Sequence, residues 1–162
     1  MYQTVFLEDV YMPSNMERFD QLTGAIFARL YETFPEPVKL DDRPFLDLIA
    51  PDGQDLEVQS SQAFYAPEFF VHTVRWLAQT GYLTYTANQR DEYLIQDCVL
   101  TAKGLEVLKA TPDSLGGKTL GSQLQDAAEA GLIDTVKSLA GKALGVGASM
   151  TYTAASSWLQ NQ

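Results

Sequence analysis

Two residues four apart, Glu68 and His72, open the search for chemistry in this chain. On a helix that spacing places both side chains on one side, where they could share a metal ion or simply meet as surface neighbours. His72 is the single histidine of the 162-residue sequence, so every further ligand would have to be a carboxylate. Cys98 is the single cysteine. A thiolate needs a base beside it, and His72 is the one imidazole on offer. The stretch around the cysteine, "YLIQDCVL", is apolar and β-branched, and there Cys98 reads as a small buried hydrophobe. "LGGKTLG" lacks the spacing of a phosphate-binding loop. "LGVGAS" lacks the apolar strand that a dinucleotide fingerprint must follow. The sequence therefore assigns no catalytic residue, no metal ligand and no cofactor, and the chain is read as non-enzymatic.

A second set of side chains could read a partner. Glu68, His72, Arg75 and Gln79 recur at helical intervals and share one polar face. Arginine suits guanine edges and glutamine suits adenine edges. Arg90 sits in a polar stretch, "ANQRDE", and Lys103 lies just beyond it. These six residues form the candidate reader or interaction face. Between residues 64 and 103, however, three bases (Arg75, Arg90, Lys103) stand against four acids (Glu68, Asp91, Glu92, Asp97). A specific DNA binder typically neutralises about six or more phosphates, so local charge disfavours DNA. Aromatic side chains offer protein contacts instead. Phe64, Tyr65, Phe69 and Trp76 lie on or beside the same helix, and Trp158 lies near the C-terminus. At least half of the first four are expected to pack in the core.

The elements that must position these residues are legible from periodicity. Ser14 and Glu17 have capping-box spacing and open a helix in which Phe19, Leu22, Ile26 and Leu30 form one apolar face. Pro35 and Pro37 end it. "VKL" at 38–40 suits a short strand. Residues 41–62 read as a loop-rich segment, with Phe45, Leu46, Leu48 and Ile49 able to bury one helical turn. A second helix follows at 67–79, with Pro67 in its first turn and Gly81 as its cap. Its Phe70, Val74 and Leu77 should face the core. "YLTYT" and "YLIQDCVL" are two strands joined by a tip at Ala87–Glu92. Thr101 caps a short helix that ends before Pro112. Beyond 118, Leu120, Leu124, Ala128, Leu132, Val136, Leu139, Ala143 and Val146 step by three or four, giving one or two helices with a break at Gly131. Gly141 and Gly145 have the GxxxG spacing that permits close helix approach.

Net charge is −10, and all of it falls within residues 1–116. Glu36–Glu57 is the most acidic run, with seven acids against Lys39 and Arg43. Such a field repels phosphate backbones and suits a basic protein partner or plain solubility. The N-terminal stretch has no basic start followed by an apolar run, and no window holds roughly 18 unbroken apolar residues. A soluble, cytoplasmic protein without a membrane role is expected.

Helix, short strand, variable segment, helix, hairpin, helix: this order resembles the winged helix-turn-helix superfamily. The closest local likeness is to PadR-like and MarR-like regulators, whose wing commonly ends in a phrase of the form LTxKGxxxL. Here the phrase runs Leu100-Thr101-Ala102-Lys103-Gly104-Leu105-Glu106-Val107-Leu108, and the resemblance covers about residues 16–111. It implies an α+β, mainly helical domain over 1–112 with a two-stranded hairpin as wing and the acidic segment 41–62 inserted. That insert departs from the family, which has a compact helix-turn approach there. Residues 117–160 form a C-terminal helical tail for packing or oligomerisation. The functional expectation is a winged-helix adaptor or regulatory protein acting through protein contacts, as a homodimer joined partly by its tail. The alternative is a transcriptional regulator reading DNA with helix 67–79 and wing 87–92.

Overall fold

Ser14 and Glu17 cap each other across the first turn of the first helix, as their spacing predicts. The Ser14 amide donates to Glu17 Oε2 at 2.9 Å, and the Glu17 amide donates to Ser14 Oγ at 3.3 Å. From this start α1 runs over Asn15–Thr33 in the computed structural model, whose described residues are 13–45, 56–112 and 116–161, with side chains of 56–66 left aside. Residues 2–11, whose weak alternation suits a short strand or an arm, the residues Leu46, Leu48 and Ile49, and the side chains of the aromatics Phe64 and Tyr65 fall outside this description. After α1 come β1 (Val38–Leu40), α2 (Leu56–Gln79), β2 (Leu83–Ala87), β3 (Ile95–Leu100), α3 (Ala102–Lys109), α4 (Leu120–Glu129) and α5 (Ile133–Gln160). The fold is α+β and mainly helical, with one small antiparallel sheet.

Most element edges fall near where the sequence puts them, but the hairpin tip runs over 88–94 rather than 87–92, since Ala87 still belongs to β2 and β3 begins only at Ile95, and one helix start is displaced further. The second helix starts at Leu56, so Pro67 lies inside it rather than in its first turn. Proline within a helix costs about 3 kcal/mol by removing one backbone bond. From Leu56 to Ala66 no glycine, proline or turn pair interrupts the chain, which leaves a helix free to extend back through the acidic segment. Of the segment 41–62, expected to be loop-rich, residues 43–45 and 56–62 are helical. Of the expected buried turn there, Phe45 is buried and stacks on Phe70, with ring centroids 5.3 Å apart.

The sheet has three strands in the order β1-β3-β2, so the hairpin gains a third strand on its β3 side. Val38 faces Cys98 and Leu40 faces Ile95, while Thr84 faces Val99 and Thr86 faces Gln96. Between those pairs β3 contains one residue more than either neighbour. The surplus shows at Asp97, whose φ is +49°. This bulge turns both Ile95 and Cys98 inward, where strict alternation would bury one and expose the other.

Around the sheet the helices close on one core. Leu22, Ile26, Phe27 and Leu30 of α1 meet Phe70, Val74 and Leu77 of α2, and all seven are essentially inaccessible. The C-terminal helices belong to the same core: Leu120 and Leu124 of α4 and Val136, Leu139 and Ala143 of α5 are buried in it. Ala128 and Leu132, which fit the same periodicity, are exposed, because Gly131 (φ +67°) breaks the helix between them. Close approach depends on small residues. A Cβ added at Gly24 would lie 2.5 Å from Val136 Cγ1, so α1 and α5 cross there almost backbone to backbone. Gly141 and Gly145, by contrast, face open space and take no part in this packing.

Candidate functional site

The outward face of α2 follows from its inward one. With Phe70, Val71, Val74 and Leu77 turned to the core, the 3.6-residue repeat sends Glu68, His72 and Gln79 to solvent and leaves Arg75 half-buried at the edge of the same face. These four residues therefore share one surface, in agreement with their spacing. The hairpin tip, residues 88–94, leans on that surface. Asn88 Oδ1 accepts from the amides of Arg90 and Asp91, and Asp91 Oδ1 accepts from the amide of Tyr93, which shapes the tip by Asx turns. Tyr93 then reaches back, and its hydroxyl donates to Glu68 Oε1 at 3.5 Å. Partial desolvation, helped by the charges of Glu68, Glu92 and Asp91, raises the Tyr93 phenol above its ordinary value. The corner between helix and tip is thus electrically negative, with Arg90 exposed at its outer end.

Lys103 lies apart from that corner. Its Nζ donates to the Thr80 carbonyl at 2.9 Å and to Thr151 Oγ1 at 3.2 Å, and it sits 4.4 Å from the centroid of the Tyr82 ring. A cation so engaged closes the C-terminal end of α2 and joins it to α5. Three more residues of the Leu100–Leu108 phrase are engaged within the fold. Thr101 Oγ1 accepts from the Gly104 amide and donates to the Gly81 carbonyl, Gly104 lies against the Tyr82 carbonyl, and Leu108 is fully buried. The phrase works as a latch between hairpin, α2 and α3.

Beside the outward face of α2 opens an apolar cleft of about 370 Å³, walled by Met16, Phe19, Phe69, His72 and Trp76. Trp76 is 43% exposed and meets Phe19 edge-on at 5.2 Å, while its inner side stacks on Tyr82 at 6.4 Å. Phe69 is partly buried and packs on the core. Met16 and Phe19 enter this surface from α1, and helix spacing within α2 could not reveal them. Trp158 is 74% exposed on the uncharged end of α5.

Cys98 and His72 lie in opposite environments. Cys98 is fully buried in β3, and desolvation pushes its thiol up to about 12. It therefore stays protonated, while His72 points to solvent on α2. Among the described residues, no three histidine, cysteine or carboxylate side chains gather as a metal site. No helix among them is long and apolar enough to cross a membrane.

The chain matches no protein family, no curated protein and no solved structure.

Proposed function

We propose that this chain is a winged-helix module acting mainly through protein–protein contacts, as an adaptor or regulatory protein with no catalysis of its own. The winged-helix part of the reading rests on the order α1, β1, α2, hairpin, α3 and on the latch at Leu100–Leu108. The contact part rests on one observation above all: Lys103 is bound to Thr80 and Thr151 and so is withdrawn from the candidate reader face. Arg75 and Arg90 remain there against Glu68, Asp91 and Glu92. Phosphate neutralisation dominates DNA affinity, and this balance opposes it. An exposed tryptophan in an apolar cleft is instead what anchors a protein partner. The negative corner selects a basic partner. The exposed end of α5, carrying Tyr152, Trp158 and Leu159, is assigned to contact with a second copy. A second reading, DNA recognition, draws on the common face of His72, Arg75 and Gln79 beside Arg90.

One titration separates them. Random-sequence duplex DNA, followed by fluorescence anisotropy at low salt, should show no binding. Salt-sensitive binding that weakens on Arg75→Ala and Arg90→Ala would establish the DNA reading. In cells, a photo-cross-linker at Gln79 should trap a protein adduct that Trp76→Ala removes.

A further inference from the structure

Both walls of the Trp76 cleft are helical ridges. Met16 and Phe19 stand on the first turns of α1, and Phe69, His72 and Trp76 stand on successive turns of α2. From Phe69 to Trp76 the groove extends about 10 Å, at 1.5 Å of rise per residue, which is the length of two turns of a third helix. Phe19 and Trp76 meet edge to face at 5.2 Å, while Met16 and Trp76 remain 66% and 43% exposed. A groove between two helices receives the ridge of another helix, with apolar side chains at i, i+3 or i+4 as anchors.

Negative charge gathers at one end of this groove. Glu68 directly precedes Phe69, and the Tyr93 hydroxyl bound to Glu68 brings the hairpin tip, with Asp91 and Glu92, to the same end. All three carboxylates bear on the Tyr93 phenol. Arg75 is half-buried towards the Trp76 end, and Lys103 is held by Thr80 and Thr151. His72 belongs both to the groove wall and to the outward face that carries Glu68, so anchor sites and acids adjoin. We infer that the occupant is a basic amphipathic helix of a protein partner: two apolar side chains one turn apart lie against Met16, Phe69 and Trp76, and lysine or arginine one turn further along the same face meets Glu68, Asp91 and Glu92. This rests on the docking reading of the Trp76 cleft and adds the form of the partner and the spacing of its charges.

The probe is a tryptophan-free, alanine-based peptide of about 15 residues, long enough to be helical in water, with leucines at i and i+4 and lysines at i+7 and i+8. In the full chain carrying Trp158→Phe, Trp76 is the single tryptophan, so its emission reports the cleft. The peptide should move that emission to shorter wavelength saturably. Moving the lysines to the opposite face should weaken binding about fivefold, the worth of two exposed ion pairs, and glutamates in their place should abolish it. With Glu68→Gln, Asp91→Asn and Glu92→Gln combined, the two lysine peptides should bind alike. Met16→Gln, at an exposed position, should weaken both about tenfold by removing apolar burial. No saturable shift, equal affinity of the two lysine peptides before the acids are neutralised, or binding indifferent to Met16→Gln would each overturn the inference. A shift that grows with protein concentration alone would give the cleft to a second copy and overturn it too. If the peptides fail while the Gln79 cross-linker still traps a Trp76-dependent adduct, the docking surface stands and only its basic helical occupant falls.

Discussion

Single side chains carry sharp consequences in this molecule, because several contacts leave no space to yield. A Cβ placed on Gly104 would lie 2.0 Å from the Tyr82 carbonyl oxygen. Backbone stands on both sides, so the latch between α2 and α3 must open to admit it. Gly104→Ala should cost about 3 kcal/mol, at the upper end for overpacking, and should lower the urea midpoint at an unchanged slope. Asp20 on α1 works in the opposite sense. Burial raises its carboxyl above the ordinary 3.8, and the nearby Lys137 offsets only part of that effect. Unfolded, the group ionises at its usual value; folded, it holds its proton to higher pH. In that window the folded state binds more protons, so this group's contribution falls as pH rises. Asp20→Asn should therefore melt at a higher temperature than the wild type at pH 7. The gain should shrink below about pH 4, where both states of the wild type carry the proton.

Elements depend on devices that periodicity hides. The bulge in β3 lets Ile95 and Cys98 both face inward, and it needs Asp97 in the left-handed region at φ +49°. Aspartate tolerates that conformation and a β-branched residue does not, so Asp97→Val should cost about 1–2 kcal/mol. Asp97→Gly should stay close to the wild type. Thermal melts of the two variants separate this backbone effect from loss of the carboxylate. The same contrast explains what was legible beforehand. Caps and breaks announce themselves in composition: Ser14 with Glu17, Thr101 at its helix start, Gly81 and Gly131 at turns. A burial stripe such as Leu22, Ile26 and Leu30 does so as well. The α2 start was hidden because Pro67 imitates a first-turn proline, while the segment before it lacks any helix breaker. The outward face of α2 was legible, since 68, 72, 75 and 79 share one side of any helix. That Lys103 lies elsewhere was not, because its partners Thr80, Tyr82 and Thr151 come from distant parts of the chain.

At the scale of the whole molecule, α5 has two parts with different work. Its first half inserts Val136, Leu139, Ala140 and Ala143 into the common core, and Gly147 packs on the Tyr82 ring. Thr151 marks the last described tie to the rest of the fold, through Lys103. Beyond it the helix continues to Gln160 with Tyr152, Trp158 and Leu159 exposed at 77, 74 and 81%. A helical end that carries no charge and shows three large apolar side chains gains by burial, at about 25 cal/mol per Å² of apolar surface. On the proposed reading, a second copy would supply a matching surface by two-fold symmetry, and the uncharged helix end would avoid the repulsion that net −10 imposes elsewhere. Deleting Tyr152–Gln162 should therefore turn a dimer into a monomer by light scattering. Because the core and the Lys103–Thr151 tie are retained, the monomer should keep the far-ultraviolet signature of the remaining helices and melt cooperatively. A truncated chain that is still a dimer would move the self-contact to another face. A full-length chain that is monomeric at high concentration would remove self-association from the function, leaving the Trp76 cleft as the docking surface.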